Sequence, residues 1–206
     1  MTGQVVALAG GVGGAKLADG LQVHLGDRLA VIVNTGDDCR RHGLLVMPDH
    51  DTMLYNLAGI EQASLGWGIE GDTHATMAQL GAYGEETWFG LGDRDLALHI
   101  ARTARVAAGG RLTEVCLGLQ RSLGIAARVL PMADEPVATE VRTADGWLEF
   151  QEYFVHRRQE PDVLELRFAG LAEAAPTPEV LGALAAAEVI VIAPSNPLVS
   201  VGPILG

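Results

Sequence analysis

The chain has 206 residues, 49% of them apolar and 19% charged, with 26 glycines and a formal net charge of −12. That length and apolar share suffice for one substantial core, and the abundance of small residues with only 5% aromatics suits closely packed α/β layers. The acidic balance leaves no basic surface for a nucleic acid or an anionic membrane, so a phosphorylated ligand must be met by backbone amides, a few placed cations or a metal.

The apolar, β-branched run at 5–9 ends in glycines and predicts a fully buried strand of a parallel sheet. Leu17, Leu21 and Leu25 recur at every fourth position and predict a helix over 15–25. A second buried run, 29–33, completes a right-handed βαβ unit. From 51 to 124 the pattern is mostly helical, with Asp93 placed to N-cap a helix through Leu96, Ile100 and Ala104 that stops at Gly109 and Gly110. Residues 137–143 and 147–155 flank Ala144-Asp145-Gly146 and predict a hairpin, with 163–168 as an added edge strand. Pro178 opens a short helix to 187, and 189–193 is a last buried strand that ends in Pro194-Ser195-Asn196-Pro197. That late strand and its loop are expected beside the first strand and its glycine turn. The predicted fold class is α/β: one domain over 1–206, built on a Rossmann-like, mostly parallel sheet with an inserted helical region at 51–124 and a β-hairpin. Cys39 and Cys116 are distant in sequence and read as free thiols. The N-terminal apolar run is short and Gly-broken, and no stretch reaches the roughly 20 apolar residues of a membrane span, so a cytoplasmic protein is expected.

Five segments carry candidate chemistry. Gly10-Gly11-Val12-Gly13-Gly14-Ala15-Lys16 joins a strand to a helix. The amides of Gly11, Val12, Gly13 and Gly14, the helix N-terminus and Lys16 would make a phosphate cradle. The pattern is neither a P-loop nor a full dinucleotide fingerprint, and a tight turn with close helix–sheet packing is the competing reading. Asn34-Thr35-Gly36-Asp37-Asp38 stands at the carboxyl end of the second strand, where open parallel sheets bind ligands. Asp37 and Asp38 there are candidate magnesium ligands, against a plain Asx-type turn. Asp51, in Pro48-Asp49-His50-Asp51-Thr52, is a helix N-cap or a site residue. Arg94, in Leu91-Gly92-Asp93-Arg94-Asp95-Leu96, offers its planar fork to a ring edge or a phosphate, or pairs with a nearby carboxylate. His99 has no second ligand at metal spacing and reads as a structural or substrate-contact residue. Ser195 and Asn196 supply hydrogen-bonding groups in a loop stiffened by two prolines. No Gly-x-Ser-x-Gly elbow and no Ser–His–Asp set supports acyl transfer.

Together, GGVGGAKLADGL from Gly10, NTGDD from Asn34, PDHDT from Pro48, GWG from Gly66, LGDRDLALH from Leu91, FQEYFV from Phe150 and PSNPLVSVGPIL from Pro194 resemble the 2-phospho-L-lactate transferase family nearly end to end. The resemblance implies a Rossmann-like fold and a magnesium-dependent enzyme. Such an enzyme moves a phospho-acid group from a guanosine-diphospho-acid donor to the ribityl hydroxyl of the deazaflavin Fo. It releases GMP, in coenzyme F-420 biosynthesis. The resemblance also implies that Asp51 and Arg94 contact Fo, that the glycine loop and the loop of Ser195 and Asn196 surround the guanine nucleotide, and that the protein is a homodimer. Asp37 and Asp38, from their place at the strand end, are assigned to the metal, and together with Asp51 to catalysis. Family members continue with further βα units that this chain is expected to lack. Phosphoryl transfer works by positioning and charge stabilisation, which fits a chain without a covalent nucleophile. The runner-up is a non-catalytic nucleotide-sugar-binding regulator on the same sheet, which would not need segments 48–52 and 91–99.

Overall fold

In chain order the elements are β1 (Gln4–Ala9), α1 (Gly11–Leu25), β2 (Leu29–Val33), the hairpin β3 (Cys39–Arg41) and β4 (Leu44–Val46), α2 (Pro48–Leu57), α3 (Ala75–Ala82), α4 (Asp93–Ala107), α5 (Leu112–Ser122), β5 (Arg128–Pro131), β6 (Ala138–Thr143), β7 (Gly146–Glu149), β8 (Glu165–Ala169), α6 (Pro178–Ala186), β9 (Ala187–Ile192) and α7 (Gly202–Leu205). They are those of a computed structural model that describes residues 3–206. Buried backbone groups must be paired, and the apolar runs pair in parallel as a four-stranded sheet in the order β5-β2-β1-β9.

Because side chains alternate across a strand, the near-continuous apolar runs feed two cores. Val5, Ala7, Val31, Val33 and Val129 pack with Ala15 and Ala18 of α1 and with Met53, Leu54 and Leu57 of α2. Val6, Leu8, Ala30, Ile32 and Leu130 pack on the other face with Val180 and Ala183 of α6. The expected parallel α/β sheet holds, and β9 does lie beside β1. The expectation of a buried strand there fails: among the described residues β9 is an edge strand paired on one side only, and its Val189, Ile190 and Ile192 are exposed.

The expected hairpin forms, and the expected edge strand joins it as β8: β6 pairs antiparallel with both β7 and β8, in the order β7-β6-β8. The expected second strand, 147–155, is cut short. After Glu149 the chain leaves the strand for a helical turn, Glu152–His156. Helical spacing there lets Phe150 stack on Phe154 at 5.3 Å and Glu152 pair with His156 and Arg157, contacts that an extended chain could not make. The β6 sheet docks on the loop after β2: Thr139 N donates to Gly36 O at 2.7 Å and Gln151 Nε2 to Asp37 O at 3.2 Å. Helices α2 to α5 fill the inserted region, where Met77, Leu91 and Leu96 form a third core with Cys39 and Val46 of the small hairpin. Cys39 and Cys116 are free and buried. Among the described residues no helix is long and apolar enough to cross a membrane.

Candidate functional site

The carboxyl ends of the parallel strands, the N-terminus of α1 and the inserted helices enclose a cavity of about 730 Å³. Its polar side begins at the glycine loop. Gly11 takes a left-handed φ of +61°. A Cβ on Gly10 would sit 2.3 Å from Asp49 Oδ2, and one on Gly13 would sit 2.2 Å from Pro194 O. The helix expected from 15 starts at Gly11, so residues 11–14 form its first turn; the segment needs glycine because Asp49 of α2 and the Pro194 loop press against its backbone, and Gly10, Gly11, Val12 and Gly13 line the cavity. Gly14 is buried behind them, where a Cβ would meet Ser195 Oγ at 2.8 Å. Lys16 is exposed on α1 and does not line the cavity.

Ser195 and Asn196 line the cavity but also build the loop. Ser195 Oγ accepts from Gly10 N at 3.0 Å and donates to Gly10 O at 2.7 Å, while Asn196 Oδ1 accepts from Leu198 N and Val199 N. Asn34 ties the loop after β2 to α2 and to the segment after β9. Its Oδ1 accepts from Gly36 N at 2.8 Å, and its Nδ2 donates to Asp49 Oδ2 at 3.0 Å and to Val199 O at 3.2 Å.

The carboxylates at this floor are Asp37 and Asp49, both buried. Burial, then the charge of Asp49, pushes the Asp37 carboxyl well above its ordinary range. Burial also raises Asp49, against the lowering effect of its bonds from Asn34 and the Gly11 amide. Asp37 Oδ1 has no hydrogen-bond partner. The expected neighbour pair of Asp37 and Asp38 is not the one at the cavity. Asp38 does not line it and instead lies in the field of Arg102, Asp51 and Cys116, because Asp37 sits in a tight turn closed by Asp38 N donating to Thr35 O at 3.1 Å.

Asp51 lines the cavity at 4% exposure, inside α2 rather than at its N-cap. Arg102, fully buried, donates Nη1 to its Oδ2 at 3.1 Å and Nη2 to its Oδ1. Met47 N also donates to Oδ2, at 3.3 Å. His99 stands between two carboxylates, with Nδ1 3.4 Å from Asp51 Oδ2 and Nε2 3.2 Å from Asp95 Oδ1, and Tyr55 OH donates to Asp95 Oδ1. Burial alone would raise the Asp51 carboxyl. Arg102, with His50 and His99, outweighs it and holds the group well below the usual carboxylate range. Asp51, Asp95 and His99 offer ligand atoms within 4.8 Å of one another, but the Asp51 oxygens already accept from Arg102 and Met47. The oxygens of Asp51 are therefore committed to Arg102 and Met47, while His99, close to both carboxylates, makes no hydrogen bond to either.

The remaining wall is aromatic: Trp67, Trp88, Phe89, Phe150 and Phe154. Trp88 is fixed between the His156 ring, stacked at 4.8 Å, and the Arg41 guanidinium, 4.6 Å from its centroid. Arg94 is exposed outside the cavity lining, with Nη1 donating to Glu70 O at 3.0 Å. Among the described residues five aspartates (Asp37, Asp49, Asp51, Asp72 and Asp95) and no lysine or arginine line the cavity. The motifs legible in the sequence contain Asn34, Asp49, Asp95 and Arg102 but assign them no site role, and Tyr55 carries no signal. For Asp95 and Arg102 a signal was present: Asp95, His99 and Arg102 follow i, i+4, i+7 spacing, a polar stripe on the inner face of α4.

A family model described as "2-phospho-L-lactate transferase CofD" matches residues 5–206. The chain is 41% identical over 202 residues to the 2-phospho-L-lactate transferase of Methanosarcina mazei, covering 98% of this chain and 67% of that protein. It is 43% identical over 209 residues to the phosphoenolpyruvate transferase of Kitasatospora aureofaciens, covering 98% and 65%. This chain thus spans about two thirds of the length of these relatives. A crystal structure of a member of the UPF0052 family from Bacillus halodurans superposes with a TM-score of 0.66 at 19% identity, over 98% of this chain and 62% of that one, a likeness of fold.

Proposed function

The chain belongs to the 2-phospho-L-lactate transferase CofD family, and from that premise we propose that it transfers a phospho-acid group from a guanosine-diphospho-acid donor to the ribityl hydroxyl of Fo, with release of GMP, in coenzyme F-420 biosynthesis. The observation that carries this reading is a single cavity that joins a glycine loop and buried carboxylates to an aromatic wall. The acid is written as a class because relatives named for phospholactate and for phosphoenolpyruvate are about equally similar, at 41% and 43% identity.

In this reading the donor's diphosphate lies over the N-terminus of α1, where the amides of the glycine loop and the helix dipole favour negative charge. Asp37 and Asp49 fit a magnesium ion: both offer hard oxygen donors, Asp37 Oδ1 has no partner, and a cation relieves two buried like charges. When bound, the ion supplies neutralisation of the diphosphate charge. The aromatic wall takes the deazaflavin ring by stacking, and Asp51, kept ionised by Arg102, accepts a hydrogen bond from the acceptor. Arg94, outside the lining, contacts Fo only by swinging inward from Glu70. The homodimer belongs to the same proposal.

Separate titrations with Fo and with GDP, with and without magnesium, test the reading. Both ligands should bind, with GDP binding dependent on magnesium, and Asp51→Ala should weaken Fo at least about tenfold, the equivalent of 1.4 kcal/mol. No binding of Fo at millimolar concentration would overturn it.

A further inference from the structure

We propose that Arg102 is a positioning residue: buried outside the cavity, it fixes the carboxylate of Asp51 in the one orientation from which that carboxylate receives a hydrogen-bond donor of the acceptor substrate. The inference rests on the proposed role of Asp51 toward the acceptor and adds a residue that itself touches no substrate.

The geometry divides the work. Asp51 lines the cavity, whereas Arg102 is 0% exposed and does not. The two guanidinium nitrogens reach the two carboxylate oxygens, so the planar fork sets both the position and the plane of the carboxylate. Met47 N donates to Oδ2 at 3.3 Å, and the His99 ring packs beside it with Nδ1 3.4 Å away. His99 Nε2 lies 3.2 Å from Asp95 Oδ1, which accepts from Tyr55 OH. The carboxylate is thus anchored from its own helix, α2, and from the inner stripe of α4.

A purely structural role explains this poorly. Both charges lose their hydration, and an apolar pair of similar volume would hold α2 to α4 as well or better. Arg102 is not a general hydrogen-bond hub either: its Nε has no partner, and its other reach, to Leu45 O, is long at 3.4 Å. What only the ion pair supplies is a fixed, ionised acceptor at the edge of an aromatic cavity. A flexible carboxylate there would lose affinity to the ordering of its own rotamers.

The test is a cycle on Fo affinity, read from the ligand's fluorescence, with GDP–magnesium affinity and thermal unfolding as controls. The variants are Arg102→Lys, Arg102→Met, Asp51→Asn and the double Arg102→Met/Asp51→Asn. Arg102→Lys keeps a buried cation but loses the fork. It should stay folded, weaken Fo about tenfold and leave GDP within about twofold. The double variant should bind Fo no worse than Asp51→Asn alone, because positioning acts only through Asp51. Unchanged Fo affinity in Arg102→Lys, equal losses for Fo and GDP, or losses that multiply in the double would each overturn the inference. If Arg102→Met does not fold, the Fo-against-GDP split in Arg102→Lys decides alone. Unchanged Fo affinity in Asp51→Asn would instead sink the reading of Asp51, and the role of Arg102 with it.

Discussion

Asp49 and Asp51 stand two positions apart in α2, and their surroundings drive them in opposite directions. Burial raises Asp49, beside a second raised carboxyl at Asp37, while Arg102 outweighs burial at Asp51. The two directions have opposite consequences for stability. Asp37 is more protonated in the folded than in the unfolded chain, so its contribution is favourable in acid and is lost as pH rises through the folded value. Asp51 is the reverse: its contribution is present above the ordinary carboxylate range and is lost as pH falls below it. Chemical denaturation at neutral pH without divalent ions should therefore find Asp37→Asn more stable than the parent. Asp51→Asn should be less stable by about 3–5 kcal/mol, the usual result of leaving one partner of a buried pair alone. A destabilised Asp37→Asn would show that its carboxylate is not strained by its neighbours. The sequence displayed these aspartates but not their signs, because the deciding charge, Arg102, is 51 positions from Asp51.

Helices α3 and α4 begin as one unit because each is capped from the other's leader. Asp72 precedes α3 and accepts from Arg94 N at 2.9 Å and Asp95 N at 3.1 Å, in the first turn of α4. Asp93 is the first residue of α4 and accepts from Ala75 N and Thr76 N, each at 2.9 Å, in the first turn of α3. Gly92 permits the crossing, since a Cβ there would lie 2.1 Å from Asp72 Oδ2. Asp93 was legible as a cap, but the helix it caps was not, since the partner lies 17 residues away. Hydrogen exchange separates the arrangements. Asp93→Ala should speed exchange at Ala75 and Thr76 rather than within its own helix. Asp72→Ala should speed it at Arg94 and Asp95 and cost about 1 kcal/mol. The strands show the same limit of local reading. β1, β2 and β9 announce themselves as apolar runs, whereas β3 and β4, three residues each, are too short to hold a periodic pattern.

On the scale of the whole molecule, the cavity draws its walls from segments between Gly10 and Ser200, so the site exists only when the sheet, the inserted helices and the β6 sheet have assembled. The glycine loop, the strand-end carboxylate Asp37 and the loop of Ser195 and Asn196 were legible because each follows a strand end. Their convergence with Asp49, Trp88 and Phe150 depends on packing that no local pattern encodes. The charge of the assembled site sets the last expectation. The chain carries −12, and five aspartates line the cavity with no lysine or arginine among the described lining residues. A diphosphate entering such a site is opposed by the protein's own field, with only backbone amides and a divalent ion in its favour. Salt screens that field, and the Debye length falls from about 30 Å at 0.01 M to about 8 Å at 0.15 M. GDP affinity at saturating magnesium should therefore hold or rise over that range of sodium chloride. Chelating the metal should abolish binding, while the uncharged guanosine should respond to neither change. The opposite pattern is that of a site built on cationic side chains: GDP that binds without magnesium and weakens steeply with salt. Calorimetry that found it would place the diphosphate away from Asp37 and Asp49, beside a cation outside the cavity such as Lys16 or Arg94.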